Sequence, residues 1–205
     1  MTELTFRMAV AADVPALAEV FGREPSDEQL TTAGGDRERG RKFRALAGRS
    51  LFSKTGLDRT LVAVRDGEVV GMLQTGAEAG DRITLALAWG VLRIFGARGV
   101  RGFLARNRLR DRVHVRPPAG TYHIAELHVS SRSRNLGIGA ALLAEGERRA
   151  RLEGFTEMSL TTTTSNPARH LYERAGFDVA RETSDPEYLR LTGISGHLLM
   201  VKQLV

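Results

Sequence analysis

Ala125-Glu126-Leu127-His128-Val129-Ser130-Ser131-Arg132-Ser133-Arg134-Asn135-Leu136-Gly137-Ile138-Gly139-Ala140-Ala141-Leu142-Leu143 reads as a strand passing through a loop into a helix whose first turn is almost bare of side chains. Gly137 and Gly139 let an anion approach the backbone there. The first N–H groups of a helix lack internal partners and carry the positive end of its dipole. Such a turn is a phosphate cradle, and Arg134 adds a charged donor beside it. The same glycines would also serve a plain tight helix start. Two other phosphate motifs fail on the letters. A Walker loop needs Gly-Lys-Ser/Thr, which is absent. The dinucleotide fingerprint needs a small residue where Leu142 stands, and an acidic ribose ligand about 20 residues on. The next strand ends instead in Thr161, Thr162, Thr163 and Thr164.

Working outward, residues 122–129 form the strand and 138–153 the long helix. Downstream come a strand over 157–163, a short helix over 167–175, and terminal strands over 177–181 and 197–203. Upstream, residues 4–10 read as a first strand. Asp13 caps a helix through Ala16, Leu17 and Val20, with Pro15 in its first turn. Phe43, Leu46 and Leu51 mark one apolar helical stripe within the charged stretch 25–59. Residues 61–64 and 69–73 flank Asp66-Gly67, a strong hairpin signal. Residues 81–118 break the rhythm, with an apolar helix over 83–95 and a very basic one over 100–113 before Pro117-Pro118. Strands and helices mix without a βαβα repeat. The expectation is therefore a single α+β domain over 1–205 with a mixed sheet, interrupted by a helical excursion over 81–118.

The 205 residues suffice for a full core, and 42% hydrophobic with 26% charged content is that of a globular protein. With no cysteine, disulfides, thiolate metal sites and a cysteine nucleophile are excluded. The first ten residues carry Glu3 and lack a long apolar run, so no secretory leader is predicted. The apolar run 83–95 is too short for a span, which needs roughly 20 residues, so a cytoplasmic location without a membrane partner is expected. The formal charge is +6, and only Lys42, Lys54 and Lys202 among the 30 basic residues are lysine. Five histidines show no metal-like spacing, and no metal is expected.

Arg134-x-x-Gly137-x-Gly139, after a strand ending Leu127-x-Val129, resembles the acetyl-CoA signature of the GNAT N-acetyltransferase superfamily. Asn166-Pro167-Ala168-x-x-Leu171-Tyr172-x-x-x-Gly176-Phe177 resembles a second block of that family at the expected distance. Residues 197–202 resemble its last strand. The strong likeness spans 122–203. Ser131 stands where many members carry proline, and 81–118 replaces a connection that is usually a short hairpin.

The resemblance implies a mixed, mostly antiparallel sheet flanked by helices, with 81–118 a helical insertion before the central strand. It also implies acetyl-CoA as co-substrate, held by Leu127, His128, Val129, Arg134, Asn135, Leu136, Gly137, Ile138, Gly139, Ala140, Asn166 and Ala168. It implies direct attack of an amine on the thioester, with the Val129 N–H stabilising the oxyanion and Tyr172 as general acid. A lysine-like amine, with pKa about 10.4, must first lose a proton. Glu126 is the candidate for that step and His123 the runner-up, either acting directly or through water. A carboxylate on an apolar central strand is out of place unless paired or working, and a salt bridge with an arginine would explain Glu126 equally well. His128 and His170 read as structural or exposed, and simple packing is the bland account of Tyr172.

Three functions compete. The first is an N-acetyltransferase acting on a small-molecule or peptide amine. The second is a non-catalytic acyl-CoA-binding regulator. The third is nucleic-acid association through Arg98, Arg101, Arg106, Arg108, Arg110, Arg112 and Arg116. That cluster contains only Phe103 as an aromatic and matches no nucleic-acid module. A solvated helix face, or a lid edge near the cofactor phosphates, is preferred. Residues 83–95, including Trp89, are apolar on most faces and should be buried: by packing within the domain first, in a homodimer second, or by lining an acceptor pocket.

Overall fold

The period-2 runs of the sequence become strands, and the computed structural model, which describes residues 3–22, 24–76 and 85–204, joins seven of them in one sheet. They are β1 (Leu4–Met8), β2 (Thr60–Arg65), β3 (Glu68–Thr75), β4 (Tyr122–Val129), β5 (Glu157–Thr163), β6 (Asp178–Ser184) and β7 (Gly196–Gln203). Their order is β1-β2-β3-β4-β5-β7-β6. Only β4 and β5 run parallel; every other neighbouring pair is antiparallel. The Asp66-Gly67 turn has both φ values positive, 55° and 79°, which is the type I′ geometry the sequence calls for.

The helices are α1 (Val14–Phe21), α2 (Asp27–Thr32), α3 (Arg37–Leu51), α4 (Lys54–Leu57), α5 (Leu85–Val113), α6 (Ile138–Leu152), α7 (Arg169–Arg174) and α8 (Pro186–Thr192). One face of the sheet carries α6, whose Leu142 and Leu143 are buried with Leu73, Ile124, Met158 and Met200. Burying each such leucine stabilises the fold by about 1.5–3 kcal/mol. The other face carries α1, where Leu17, Val20 and Phe21 meet Val62 and Met72.

Several expectations change. Asp13 stands at the N-cap of α1 but gives the helix no side-chain bond. Its carboxylate instead takes the Val10 N–H at 2.8 Å and a forked contact from Arg7 at 2.6 and 2.7 Å. The stretch 25–59 holds three helices rather than one, and α8 was not foreseen. Two helices were expected within 81–118; they form α5, which is broken at Gly96 (φ 67°, ψ 167°). Ile83 and Thr84, assigned to the first of them, lie outside the described residues.

The apolar piece of α5 buries one face only. Val91, Phe95 and Phe103 pack with Phe43 and Leu46 of α3. Leu85, Trp89 and Leu92 remain exposed. The basic piece lies against α2 and α8, and none of its residues lines the cleft between α6 and α7.

Candidate active site

Strand β4 positions the site by two departures from regular pairing. Gln74 stands opposite Glu126 but Thr75 opposite Ile124, so Ala125 is an extra residue, a β-bulge. The bulge reverses which residues face which way. Tyr122 and Ile124 before it, and Leu127 and Val129 after it, all pack on the α6 side. Glu126 and His128 therefore face the other way. The second departure is a gap: pairing with β5 stops at Ile124 opposite Leu160, while β4 continues to Val129.

The gap is lined by backbone. Val129 stands opposite Gly71, and the Ser130 N–H donates to the Val70 carbonyl at 2.9 Å. That identifies Val129, and Leu127 two residues earlier, as non-hydrogen-bonded positions of the β3–β4 ladder. Their N–H and C=O groups consequently point toward the missing part of β5.

The glycine turn follows. Gly137 is the N-cap of α6 and is left-handed (φ 76°, ψ 0°), a conformation a Cβ disfavours. The first intrahelical bond is Ala141 N–H to Gly137 O at 3.0 Å, so the N–H groups of Ile138, Gly139 and Ala140 precede the helix ladder. At Gly139 a Cβ would stand 3.0 Å from Leu171 Cδ2, which is how closely α7 approaches α6.

Between these helices lies a cleft of 1180 Å³. Eleven of the twelve residues expected to hold the cofactor line it: Leu127, His128, Val129, Arg134, Asn135, Gly137, Ile138, Gly139, Ala140, Asn166 and Ala168. Leu136 does not, and its side chain is exposed. Asn166 also shapes the backbone nearby. Its amide donates to Thr162 Oγ1 at 2.7 Å and accepts the Ala168 N–H at 2.9 Å, setting the entry to α7.

Sequence reasoning missed Leu143, Ala144 and Glu147, which continue the cleft along α6, and His170, Arg174 and Lys202 opposite. The i, i+4 spacing of Gly139, Leu143 and Glu147 was the available signal. Lys202 Nζ donates to Glu147 and to the Ala175 carbonyl, both at 2.6 Å. Burial by itself would raise the Glu147 carboxyl, but hydrogen bonds from Lys202 and Arg151 hold it below its ordinary value.

Behind the cleft the titratable groups are differently placed. Tyr172 is buried and is not part of the cleft wall. Burial, then the charge of Glu126, pushes its hydroxyl up to about 12. Glu126 is paired, but with His128 rather than an arginine: Oε2 to Nε2 is 2.7 Å. The His128 ring meets Phe21 edge-on at 5.0 Å. Arg44 stacks on Phe21 at 3.7 Å and donates to the carbonyls of Phe21 and Gly22 and to Gln29. Burial lowers its pKa while the Glu126 charge opposes that.

His123 is buried, with Nδ1 3.0 Å from Ser159 Oγ. Burial, then the nearby His114, pushes it down to about 4, so it is neutral at neutral pH and holds a proton poorly. A further cluster was not foreseen. Glu28 of α2 accepts from Tyr188 Oη of α8 at 2.9 Å and lies 3.1 Å from His197 Nε2 of β7, tying α2 and α8 together. Among the described residues, no group of three or more His, Asp or Glu side chains is placed to hold a metal ion.

A pyrophosphate-bearing ligand fits this cleft. The left-handed Gly137, the N–H groups opening α6 and Arg134 stand on one wall, and the β4 backbone groups lead inward from them. A profile of the acetyltransferase (GNAT) family matches residues 23–177. The chain belongs to that family. No curated protein matches the sequence.

Among solved structures, the PaiA N-acetyltransferase from Thermoplasma acidophilum, in complex with coenzyme A, is 18% identical with a TM-score of 0.57, over 98% of this chain and 99% of that one. An agmatine N-acetyltransferase variant in its apo form is 17% identical with a TM-score of 0.57, over 98% and 99%. A GNAT acetyltransferase from Streptococcus pneumoniae is 21% identical with a TM-score of 0.54, over 99% and 100%. At these identities the likeness is one of fold.

Proposed function

We propose that the protein transfers an acetyl group from acetyl-CoA to a primary amine by direct attack while both are bound. The observation that carries this reading is the alignment of the α6 cradle with the gap between β4 and β5, where the Leu127 and Val129 backbone groups face inward. Acetyl-CoA supplies the activated thioester. Ile138, Gly139, Ala140 and Arg134 hold its pyrophosphate, and Leu127 hydrogen-bonds the arm leading to the thioester. The Val129 N–H donates to the carbonyl oxygen as charge builds on it.

Glu126, through His128 or directly, takes the proton of the incoming amine. Tyr172, held protonated by burial, returns a proton to the departing sulfur. The absence of cysteine accords with direct transfer. A primary amine as acceptor is supported by the agmatine N-acetyltransferase among the structural neighbours.

The test mixes protein, acetyl-CoA and a panel of polyamines, aminoglycosides, amino acids and peptides, and follows free thiol with a thiol-reactive dye. The protein contributes no dye background, having no cysteine. Thiol release with one class of amine is expected. Silence across the panel from protein that binds acetyl-CoA would turn the reading toward a non-catalytic acyl-CoA-binding regulator.

A further inference from the structure

The apolar piece of α5 is amphipathic in the folded protein, with its second apolar face in water. Val91 and Phe95 are buried with Phe43 and Leu46 beside them, and Gly90 sits so close to Leu46 that a Cβ would stand 2.6 Å from it. Leu85, Trp89 and Leu92, spaced i, i+4, i+7, share the opposite face and are 85%, 64% and 40% exposed. Arg93, four residues after Trp89, borders that stripe and is exposed. Beyond the break at Gly96, Arg98, Arg101, Leu104 and Arg108 are exposed on the outer face. None of these four arginines has an acidic partner among the described residues. From Leu85 to Arg116 the sequence has eight arginines and one acid, Asp111, while the whole chain is +6. The rest of the chain therefore carries no positive excess.

We propose that this face of α5 docks on an anionic lipid bilayer, with Leu85, Trp89 and Leu92 entering the boundary between headgroups and acyl chains and the arginines engaging lipid phosphates. Helices that lie in a membrane surface combine an apolar face bearing Leu and Trp with flanking cations, and each cation adds attraction to an anionic leaflet. Tryptophan is at home at that depth. A nucleic acid would satisfy the arginines but leave Leu85 and Leu92 in water. A second copy of the chain would bury the leucines but bring two arginine-rich faces together, like charge against like. The expectation of no membrane partner rested on the lack of a spanning segment. No described helix is long and apolar enough to cross a membrane, and surface docking needs none.

Trp89 is the only tryptophan, so its emission reports on this face alone, independently of any acetyl transfer. The full chain is titrated with vesicles of mixed phosphatidylglycerol and phosphatidylcholine, and with phosphatidylcholine alone. The expected result is co-sedimentation, a blue-shifted emission and quenching by brominated lipid, with the anionic vesicles only and weakening as salt rises. Leu85→Ser with Leu92→Ser should weaken partitioning about tenfold or more, and Arg98→Gln with Arg101→Gln about tenfold, with the melting temperature unchanged.

Absence of partitioning into anionic vesicles by the folded protein would overturn the proposal. So would binding that leaves Trp89 emission unchanged, since the arginines would then act without the apolar stripe. A blue-shifted emission without lipid, at the mass of a dimer, would assign the face to a second copy. Duplex DNA binding without vesicle binding would assign it to nucleic acid.

Discussion

His128 Nε2 lies 2.7 Å from Glu126 Oε2 because residues two apart on a strand share a face, and the bulge at Ala125 has turned that face away from α6. The carboxylate fixes the imidazole against Phe21 while both stay partly open to solvent, at 30% and 25% side-chain exposure. His128 lines the cleft, whereas Glu126 does not. Glu126→Gln keeps the size and removes the charge, so turnover should fall about a hundredfold, the lower end of the range for a positioned base. Acetyl-CoA affinity, read by calorimetry, should hold. Unchanged turnover would remove Glu126 from the proton path.

Tyr172→Phe tests the other end of that path. The hydroxyl is pushed up to about 12, so it stays protonated across the neutral range and is a donor rather than a base. The ring also packs on Phe177 at 6.4 Å, a contact phenylalanine preserves. Turnover should drop about a hundredfold with acetyl-CoA affinity and melting temperature unchanged. A matching loss of affinity would mean that the hydroxyl serves binding or packing.

The turn from β4 into α6 was legible because its signal is local: a strand, a loop with Arg134, and two glycines opening a helix specify their own geometry within about fifteen residues. The hairpin at Asp66-Gly67 was legible for the same reason. Helix α8 had a local signal too. Asp185 accepts the N–H groups of Glu187 and Tyr188 at 2.8 and 2.9 Å, with Pro186 at the first helical position. Ser26 and Gln29 likewise form a capping box on α2.

What no local pattern holds is long-range. The Ala125 bulge depends on the register with β3, the Glu28–His197 contact joins residues 169 apart, and Lys202 reaches Glu147 only because β7 runs beside β5. The exposure of Trp89 was misjudged for a related reason. Hydrophobicity on many faces of a helix says that it has partners, but not that the rest of the chain covers all of it.

Gly139 is where the cradle meets α7. A Cβ there would approach Leu171 Cδ2 to 3.0 Å, the far end of a side chain that can shift slightly. Gly139→Ala should therefore be tolerated with a small loss of acetyl-CoA affinity. Gly139→Val, whose branch cannot be absorbed by so small a shift, should weaken binding about tenfold or more while the melting temperature moves by a few degrees. Undiminished affinity in the valine variant would mean that the phosphates are held elsewhere.

His123 makes stability depend on pH. In the folded chain its pKa is pushed down to about 4 by burial and then by His114, while an unfolded histidine titrates near 6.5. Between those values the unfolded chain takes up a proton that the folded chain refuses. The stability is thus fully present above about pH 6.5, is lost as pH falls from there toward about 4, and falls no further on this account below that. At about 1.4 kcal/mol per pH unit the loss reaches about 3 kcal/mol. His123→Gln retains a polar partner for Ser159 and cannot titrate. Urea unfolding of both proteins at about pH 7.5 and about pH 4.5 separates this effect from carboxylate titration, which the two share. The parent protein should lose about 2.5 kcal/mol more than the variant between those pH values; equal losses would show that His123 takes up its proton in the folded state as readily as in the unfolded one.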